Sequence, residues 1–369
     1  MTEALKRTAL YEKHVAAGGK IVPFAGFEMP VQYATGITAE HKAVRETAGL
    51  FDVSHMGEFM VRGPQALDLI QYVSVNDAAK IEVGQAQYSA MCLESGCVID
   101  DLLIYRFADR YMLVVNASNL GKDLAWIQKH AARFDVTVED VSDATGLLAL
   151  QGPAAREILK PLADLDIDAV KYYRFAEGHI AGVPAVISGT GYTGEDGFEL
   201  YVAAKDSPAL WDSILAAGAD RGLIPAGLGA RDSLRLEMGY ALYGNDLDES
   251  HTSLESGLGW VTKFDKGDFV GRDALAAQKE AGVLRRLVGM RLEGKGFPRP
   301  GYDVVSEGET VGKLTSGTVS PSLGIGIAMG YVPTESAKPD TRLQVDLRGR
   351  LLDVVVQRPP FYTSGSIKR

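Results

Sequence analysis

The sequence contains very few cysteines and no clustered metal ligands. Cys92 and Cys97 are the only cysteines among 369 residues, so a disulfide framework is excluded and a reducing compartment is expected. The 6 histidines are scattered along the chain, and none shows the paired spacing of a structural zinc site. We therefore predict a protein without structural disulfides and without a metal.

Long apolar runs and an excess of basic residues are also missing. No apolar run approaches the roughly 20 residues that a membrane helix needs. The N-terminal residues lack a signal-peptide core and an Arg/Ser-rich transit pattern, which predicts a cytoplasmic protein, or a mitochondrial matrix protein in a eukaryote. The formal net charge of −10 argues against bulk binding of nucleic acid, which requires a dominant basic field.

What the sequence does contain is an ordinary globular composition, with 46% hydrophobic and 23% charged residues. Up to about residue 280, predicted strands and helices follow one another in an order that favours an α+β body with helices on one face of a sheet. After Gly282, short predicted strands recur between Gly and Pro turns, which is typical of a small all-β domain. We therefore predict two domains, 1–282 and 283–369.

Three local predictions concern the regular elements of the body. The pattern over residues 4–17 predicts an amphipathic helix. The segment from Val22 to Pro30 has two prolines and a glycine among aromatic residues, which predicts a packed loop rather than a regular element. Pro153 is well placed to open a helix over residues 153–162.

A pair of adjacent aspartates, Asp100 and Asp101, lies between a glycine turn and the apolar run 102–105, which predicts a buried strand. Because side chains alternate along a strand, the two carboxylates are expected to face opposite ways. A carboxylate at the mouth of an apolar pocket suits a cationic ligand or proton transfer. On spacing alone, a turn whose aspartates cap backbone N–H groups is the more common arrangement.

A glycine-rich stretch from Gly189 to Leu200 follows another predicted strand. Its glycine spacing is similar to that of a phosphate-binding loop, but it has no Gly-Lys-Ser/Thr, and a strand rather than a helix follows Gly197. We therefore predict a hairpin-like loop that presents Tyr192 and Glu199.

Other polar residues have structural interpretations when they are taken alone. His55 follows a predicted strand and is either a general base or a hydrogen-bonded structural group. Asn116 ends a predicted strand just before a helix, which is typical of a helix cap. Arg231 and Arg235 share one face of a predicted helix, which favours a solvated charged face.

Several separated motifs, spread from about Leu10 to Tyr362, resemble the T proteins of the glycine cleavage system, the folate-dependent aminomethyltransferases. In chain order they are Phe-Asp-Val-Ser-His-Met at 51–56, Gly-Cys-Val-Ile-Asp-Asp at 96–101, Gly-Tyr-Thr-Gly-Glu-Asp-Gly-Phe-Glu at 191–199, Gly-Leu-Gly-Ala-Arg-Asp at 227–232 and Thr-Ser-Gly-Thr-Val-Ser-Pro at 315–321. One position departs from the family pattern, because Cys97 stands where the family usually has a second glycine. That departure affects the turn before the aspartates and leaves the carboxylates in place.

The resemblance implies a multidomain α+β folate-binding body and a C-terminal β-barrel domain, arranged around a central channel. It implies that an aminomethyl group arrives as a thioether on the lipoyl arm of the H protein, a transient partner. Tetrahydrofolate, the implied co-substrate, accepts the one-carbon unit and gives methylenetetrahydrofolate, while ammonia and the dihydrolipoyl arm are released. Metal, nicotinamide and a protein nucleophile are not required.

The resemblance also assigns residues to this reaction. Asp101 is the implied catalytic residue, and we predict that Asp100 is mainly structural. The implied folate-binding residues are Tyr88, Asn116, Tyr192, Glu199, Arg231 and Tyr240.

Two rival classes of protein remain as alternatives to this interpretation. One is another folate-dependent one-carbon transferase or demethylase, such as the folate domain of a sarcosine-type dehydrogenase, which is disfavoured because the chain has no flavin-binding half. The other is a non-catalytic folate-binding accessory protein of the kind linked to iron–sulfur assembly. Its Lys-Gly-Cys-Tyr-x-Gly-Gln-Glu signature is absent, since the corresponding region reads Tyr-Ala-Leu-Tyr-Gly-Asn-Asp at 240–246. The presence of Asp101 favours an enzyme.

Overall fold

A computed structural model describes residues 4–368 of the chain. The α-helices of this range are α1 (Tyr11–Ala16), α2 (Ile37–Glu46), α3 (Ala66–Val73), α4 (Leu120–Ala131), α5 (Ala155–Leu159), α6 (Ser207–Gly218), α7 (Leu228–Met238) and α8 (Arg272–Ala281). No helix of this range is long and apolar enough to cross a membrane.

The strands form two open sheets, a two-stranded hairpin and a closed barrel. Strands of the first two-thirds of the chain are β1 (Lys20–Phe24), β2 (Phe27–Gln32), β3 (Ala48–Asp52), β4 (Gly57–Arg62), β5 (Gln85–Cys92), β6 (Val98–Arg106), β7 (Tyr111–Val115), β8 (Thr137–Asp140), β9 (Thr145–Gln151), β10 (Phe175–Ile180), β11 (Val183–Ser188), β12 (Gly197–Ala203) and β13 (Leu223–Pro225). Strands of the last third are β14 (Arg285–Leu292), β15 (Asp303–Ser306), β16 (Glu309–Val319), β17 (Gly326–Pro333), β18 (Arg342–Asp346) and β19 (Leu351–Gln357).

The body is built from the two open sheets, which pack face to face. One sheet has the order β5-β6-β7-β4-β8 and the other β10-β11-β12-β9-β3-β13. Alternation along β7 shows the layering: Leu113 and Val115 join the core with α3 and α4, whereas Met112 and Val114 join the core shared with the other sheet. Each sheet therefore carries helices on its outer face, as the order of predicted elements indicated.

The C-terminal strands close into a six-stranded barrel in the order β14-β17-β16-β15-β18-β19. Alternate side chains point inward and fill the barrel, among them Met290 and Leu292 of β14 and Val354 of β19. On its outer wall the barrel packs against helix α7 of the body, where Leu236 contacts the cluster that contains Ile327. The predicted all-β region after Gly282 is therefore confirmed as a closed barrel.

The N-terminal predictions are wrong in two places. Residues 4–17 were expected to form one helix, but α1 begins only at Tyr11, and Lys6 pairs with Phe27 through backbone hydrogen bonds. The expected packed loop contains strands β1 and β2, joined by a tight turn in which Ala25 and Gly26 have φ of 48° and 83°. Prolines are compatible with this hairpin because both of its strands are edge strands.

The helix expected over residues 153–162 is shorter than predicted. It begins at Ala155, two residues after Pro153, and a 3₁₀ turn over Lys160–Leu162 follows it. The chain passes Pro153 in a turn whose Gly152 has a φ of 133°, where a Cβ would lie 2.5 Å from the backbone oxygen of Thr47. Close packing of this turn against the end of α2 therefore delays the start of the helix.

Candidate active site

A cavity of about 1070 Å³ lies where the five-stranded sheet, the glycine-rich loop and the barrel meet. It reaches about the upper limit of the usual size range of small-molecule sites, which is roughly 300–1,000 Å³. Of the predicted site residues, four line this cavity: Tyr88, Asp101, Tyr192 and Tyr240. The other three, Asn116, Glu199 and Arg231, are not part of its lining.

Asp101 is held on the cavity wall by strand β6, which contains both aspartates rather than beginning after them. Tyr88, on the paired strand β5, donates its hydroxyl to Oδ2 of Asp101 at 2.9 Å. Asn116 donates its Nδ2 to Oδ1 of Asp101 at 2.9 Å. Burial and the neighbouring Asp100 charge raise the pKa of Asp101 to about 7, although both hydrogen bonds oppose this shift. A carboxyl group with this pKa can change protonation state near neutral pH.

Asp100 faces the other way and is fully buried, as the alternation of the strand predicted. Its Oδ1 accepts hydrogen bonds from Nδ2 of Asn116 at 2.9 Å and of Asn119 at 2.8 Å, and its Oδ2 accepts from the backbone N–H of Asn116 at 3.1 Å. These donors come from the segment after β7, not from the glycine turn before β6. The turn-capping interpretation of the aspartate pair is therefore wrong.

Asn116 is not a helix cap, because its side chain makes no capping hydrogen bond to the turn that follows it. Its Nδ2 instead lies within hydrogen-bond distance of one carboxylate oxygen of Asp100 and one of Asp101, both at 2.9 Å. The amide therefore connects the buried carboxylate to the one on the cavity wall. Sequence reasoning had no signal for this contact, since residues 100 and 116 are brought together only by the pairing of β6 with β7.

The glycine turn before the aspartates accommodates Cys97 without strain. Gly96 takes the left-handed conformation in this turn, with a φ of 83°, and Cys97 has no positive φ. The backbone N–H of Leu93 donates to the carbonyl of Cys97 at 2.9 Å, which closes the turn. The backbone conformation at residue 97 therefore does not require glycine, although the family usually has its second glycine there.

The glycine-rich loop joins β11 to β12 as a hairpin, which confirms that part of the prediction, and it presents Tyr192 to the cavity. Glu199 lies on β12, outside the cavity lining, and is not presented by the loop. It places Tyr192 against Tyr240, with ring centroids 5.7 Å apart and planes inclined by 27°. The hydroxyl of Tyr192 donates to the carbonyl of Ala241. The guanidinium of Arg231 also contacts the Tyr192 ring, with Cζ lying 4.6 Å from the ring centroid. A cation, two stacked rings and a fixed loop together form a rigid aromatic wall.

Glu199 is buried beneath this loop, with 7% of its surface exposed. Its Oε2 accepts a hydrogen bond from Oγ1 of Thr190 at 2.5 Å. Burial raises the pKa of Glu199, while the Thr190 hydrogen bond and the charge of Arg231 lower it. The remaining oxygen, Oε1, accepts no hydrogen bond from residues 4–368, so the protein leaves its lone pairs unused.

The expected solvated charged face of Arg231 and Arg235 is wrong. Arg235 is 2% exposed, and its Nη1 and Nη2 bind Asp246 at 2.6 Å and Asp232 at 2.8 Å. Arg231 contacts the Tyr192 ring, and within residues 4–368 no carboxylate forms an ion pair with it. Arg235 therefore belongs to a buried ion-pair network, and Arg231 packs on the Tyr192 ring, while neither arginine lines the cavity.

His55 is a buried group outside the cavity lining. Burial lowers its pKa to about 4, which keeps the ring neutral at pH 7. Phe24 and Phe27 lie edge-on to the imidazole, with centroids at 5.4 and 6.4 Å. Nδ1 of His55 has no hydrogen-bond partner among the described residues, so the ring is held by aromatic packing rather than by the hydrogen bonds expected of a structural histidine, and it lies outside the cavity lining.

Several cavity residues were missed by sequence reasoning. Trp260 is 64% exposed and stacks on Tyr88 at 6.1 Å, and Tyr173 lines the wall with a φ of 59°, which is unusual for a bulky residue. Arg286 of barrel strand β14 and Arg358, which directly follows β19, line the same cavity. The barrel residues lie more than a hundred positions from Asp101 in sequence, so no local pattern indicates that they share its site.

These features define the class of protein. A large cavity between an α+β body and a β-barrel, with a carboxyl group of raised pKa among aromatic side chains, is the arrangement of an enzyme active site. Among residues 4–368, no three His, Cys, Asp or Glu side chains are grouped so that they could hold a metal ion.

Comparisons with known proteins agree with this class and make it specific. Residues 10–266 match the GCVT N-terminal domain, and residues 285–363 match the glycine cleavage T-protein C-terminal barrel domain. An aminomethyltransferase from Symbiobacterium thermophilum is 53% identical over 99% of both chains, and one from Thermotoga petrophila is 49% identical over 99% of this chain and 100% of its own. The crystal structure of the glycine cleavage system aminomethyltransferase T from Bartonella henselae has a TM-score of 0.92 and 36% identity, covering 98% of this chain and 99% of its own.

The chain therefore belongs to the glycine cleavage T-protein family and is an aminomethyltransferase of the glycine cleavage system. Relatives named as aminomethyltransferases, at about 50% identity over nearly the whole of both chains, support this activity rather than either rival class.

Proposed function

We propose that this aminomethyltransferase takes the aminomethyl group from the dihydrolipoyl arm of the H protein and transfers its one-carbon unit to tetrahydrofolate. The carbon–sulfur bond of the thioether breaks and the arm leaves as the dihydrolipoyl thiol. The carbon becomes the methylene bridge of methylenetetrahydrofolate, and the amino nitrogen leaves as ammonia. The observation that carries this proposal is Asp101, a carboxyl group with a pKa of about 7 on the wall of an aromatic cavity.

In this proposal the folate lies against the aromatic wall formed by Tyr192 and Tyr240. Flat aromatic rings favour offset stacking on such side chains. Glu199 accepts N–H donors from the amide-like edge of the pterin through its free Oε1, since carboxylates accept paired hydrogen bonds well. Arg231 has no counter-ion in residues 4–368, and its charge orients the polar part of the ligand and steadies Glu199.

Asp101 acts on the carbon that is transferred. Positive charge develops on the aminomethyl carbon and nitrogen as the carbon–sulfur bond weakens, and an ionised carboxylate at fixed distance stabilises that charge. An approaching cation favours the ionised form of Asp101, so substrate binding lowers the pKa from about 7 and prepares the carboxylate. Tyr88 and Asn116 hold its two oxygens, which keeps the carboxylate oriented.

The lipoyl arm enters the cavity from the H protein through its open side. Lys80, Arg286 and Arg358 line the cavity and give it a locally basic character despite the net charge of −10. Trp260, which is 64% exposed, adds apolar surface for the hydrocarbon part of the arm. We infer that an acidic face of the H protein meets these cations, and that the complex is transient.

We also propose that the reaction takes place in the cytoplasm. The relatives of this chain are bacterial, and its two cysteines are free, which is compatible with the reducing environment of that compartment.

A mixing assay tests this function directly. Purified protein, aminomethylated H protein and tetrahydrofolate are combined, and methylenetetrahydrofolate and ammonia are followed together. We expect both products in equal amounts, and neither when tetrahydrofolate or the aminomethyl group is left out. Folate that remains unchanged while the H protein loses its aminomethyl group would contradict the proposed acceptor.

A further inference from the structure

A third aspartate lies behind the two aspartates of the site. Asp123 belongs to helix α4, one turn after Asn119, and its side chain is fully buried. Neither of its carboxylate oxygens has a hydrogen-bond partner. The sequence motifs gave no reason to single out this residue, and the mechanism above does not use it.

A carboxylate in this position cannot remain ionised without a donor. Transfer of an unpaired charge from water into a protein interior is strongly unfavourable, so such a group holds a proton instead. Of the charged groups around Asp123, Asp100 and Asp101 come from strand β6, and Lys122 comes from its own helix. The Nζ of Lys122 is directed to Tyr243 at 2.8 Å and to Glu249 at 3.0 Å, so it provides no hydrogen bond to Asp123.

The acceptor for the proton of Asp123 is the neighbouring Asp100. Asn119, one turn before Asp123 on the same side of α4, donates its Nδ2 to Asp100 at 2.8 Å, so the two carboxyl groups are neighbours and a protonated Asp123 has Asp100 as its acceptor. Asp100 already accepts from Asn116 and Asn119, and Asn116 in turn donates to Asp101. A continuous series of hydrogen bonds therefore leads from helix α4 to the carboxylate on the cavity wall.

We propose that Asp123 is a neutral carboxylic acid that donates a hydrogen bond to Asp100 and thereby serves as a positioning residue for Asp101. The donor fixes the Asp100 carboxylate, and Asp100 in turn fixes the Asn116 amide. The amide then holds Oδ1 of Asp101 in place. The proton also limits the charge of the Asp100–Asp123 pair to a single negative charge. This inference rests on the proposed role of Asp101, but the protonation of Asp123 can be measured without it.

The proton of Asp123 is held more firmly than any proton on Asp101. Burial, followed by the hydrogen bond and the charge of Asp100, raises the pKa of Asp123 to about 11. For Asp101, burial and the charge of Asp100 raise the pKa only to about 7, because its hydrogen bonds from Tyr88 and Asn116 lower it. At about pH 9, therefore, Asp101 is ionised while Asp123 still carries its proton.

Infrared difference spectroscopy detects this proton directly. The ligand-free wild-type protein and the Asp123→Asn variant are compared at about pH 9, where ionised carboxylates give no protonated-carboxyl band. We expect the wild type to show a protonated-carboxyl stretching band that the variant lacks. Glu58, a second buried carboxyl group with both oxygens unpartnered, serves as the control, since Glu58→Gln removes a separate band. If the Asp123→Asn variant instead lacks an ionised-carboxylate band of the wild type, Asp123 is ionised in the wild type, and the proposal is overturned.

Kinetics then test the positioning role with a pair of variants. Asp123→Asn keeps the shape and retains an N–H donor for Asp100, whereas Asp123→Ala removes the donor. We expect turnover in the alanine variant to fall about ten- to a hundredfold with little change in KM for folate, as for a slightly misplaced catalytic group. The asparagine variant should remain within about threefold of the wild type, because its donor is retained.

Two kinetic results would overturn the positioning role: wild-type turnover in Asp123→Ala, or an asparagine variant as slow as the alanine variant. If Asp123→Ala fails to fold, the spectrum and the turnover of Asp123→Asn decide the question. Failure of the proposed function gives a different pattern, because the wild type then produces no methylenetetrahydrofolate while the infrared band persists.

Discussion

At the scale of single residues, Asp100 and Asp101 show how a strand separates two identical side chains. Asp100 is fully buried and receives three hydrogen bonds from Asn116 and Asn119. Asp101 is on the cavity wall and keeps room for a ligand beside its two hydrogen bonds. Because the carboxylates have the same chemistry, their different environments alone assign their roles.

The first prediction concerns the charge of Asp101. Asp101→Asn keeps the size of the side chain but removes the ionised form, so we expect turnover to fall at least about a hundredfold, while folate affinity changes little. Asp100→Asn serves as the matched comparison and should reduce turnover much less, with a larger effect on stability. Turnover is measured with aminomethylated H protein as the donor. A fully active Asp101→Asn variant would remove the reason for placing the chemistry at this residue.

A second prediction follows from the raised pKa of Asp101. In the unfolded chain this carboxyl group titrates near about 3.9, whereas its pKa in the folded protein is about 7. Between these values the folded state binds the extra proton, so the contribution of Asp101 to stability decreases as pH rises. The melting temperature of Asp101→Asn relative to wild type should therefore increase between about pH 5 and pH 8. A difference in Tm that is constant with pH would contradict the raised pKa.

A third prediction concerns Glu199. Glu199→Ala removes a buried charged acceptor, whose loss typically weakens binding by about 1.5–3 kcal/mol, or roughly ten- to a hundredfold in affinity. Calorimetric titration with tetrahydrofolate measures this effect. Glu177→Ala on the nearby strand β10, where the side chain is 59% exposed, is the control and should bind like the wild type. Equal affinity in both variants would show that Glu199 does not contact the folate.

At the scale of secondary-structure elements, an arginine on α2 joins several parts of the body. Nη1 of Arg45 binds Glu195 of the glycine-rich loop at 2.7 Å, and Nη2 binds Glu237 of α7 at 2.8 Å. All three side chains are almost fully buried, with exposures of 4%, 2% and 0%. Glu237 also accepts from Ser322 at 2.9 Å, which connects the pair to the barrel. The loop that carries Tyr192 is therefore anchored by charge as well as by packing.

The fourth prediction is that Arg45→Ala strongly destabilises the protein. Removing one partner of a buried ion pair leaves uncompensated carboxylates and typically costs about 3–5 kcal/mol. Arg62→Ala is the control, because Arg62 and Glu139 form a pair that is 44% and 65% exposed, and such surface pairs contribute about 0–1 kcal/mol. Urea denaturation of both variants compares the two losses, and equal losses would contradict the anchoring role.

At the scale of the whole molecule, the site exists only because the barrel closes onto the body. Helix α8 ends at Ala281 and the first barrel strand begins at Arg285. The two matched family regions end at residue 266 and begin at residue 285. We propose that 1–282 and 283–369 are the two units, and that each supplies part of the cavity wall.

The fifth prediction concerns the cations that the barrel contributes. If Arg286 and Arg358 attract an acidic H protein, the rate of association should fall as salt rises, because screening shortens the reach of their charges. Arg286→Gln and Arg358→Gln should slow association and weaken its salt dependence. Arg350→Gln, in the turn between β18 and β19 and outside the cavity lining, is the control. Stopped-flow measurement of a rate that does not depend on salt would exclude electrostatic steering.

The sequence by itself determined the local chemistry and the class of fold. Alternation along β6 placed Asp100 and Asp101 on opposite faces, the absence of a Gly-Lys-Ser/Thr motif excluded a phosphate loop, and the short strands after Gly282 indicated the barrel. Local geometry and side-chain periodicity are fixed by residues a few positions apart, so they can be predicted from a single chain.

Only the tertiary structure decided which distant residues share the site. Strand pairing brought Asn116 onto both aspartates, barrel closure brought Arg286 to the cavity, and helix packing placed Asp123 behind Asp100 without a donor of its own. The pKa of Asp101 depends on the same contacts, because burial and neighbouring charge are properties of three-dimensional surroundings. These relations join residues far apart in the chain, and no local pattern of residues specifies them.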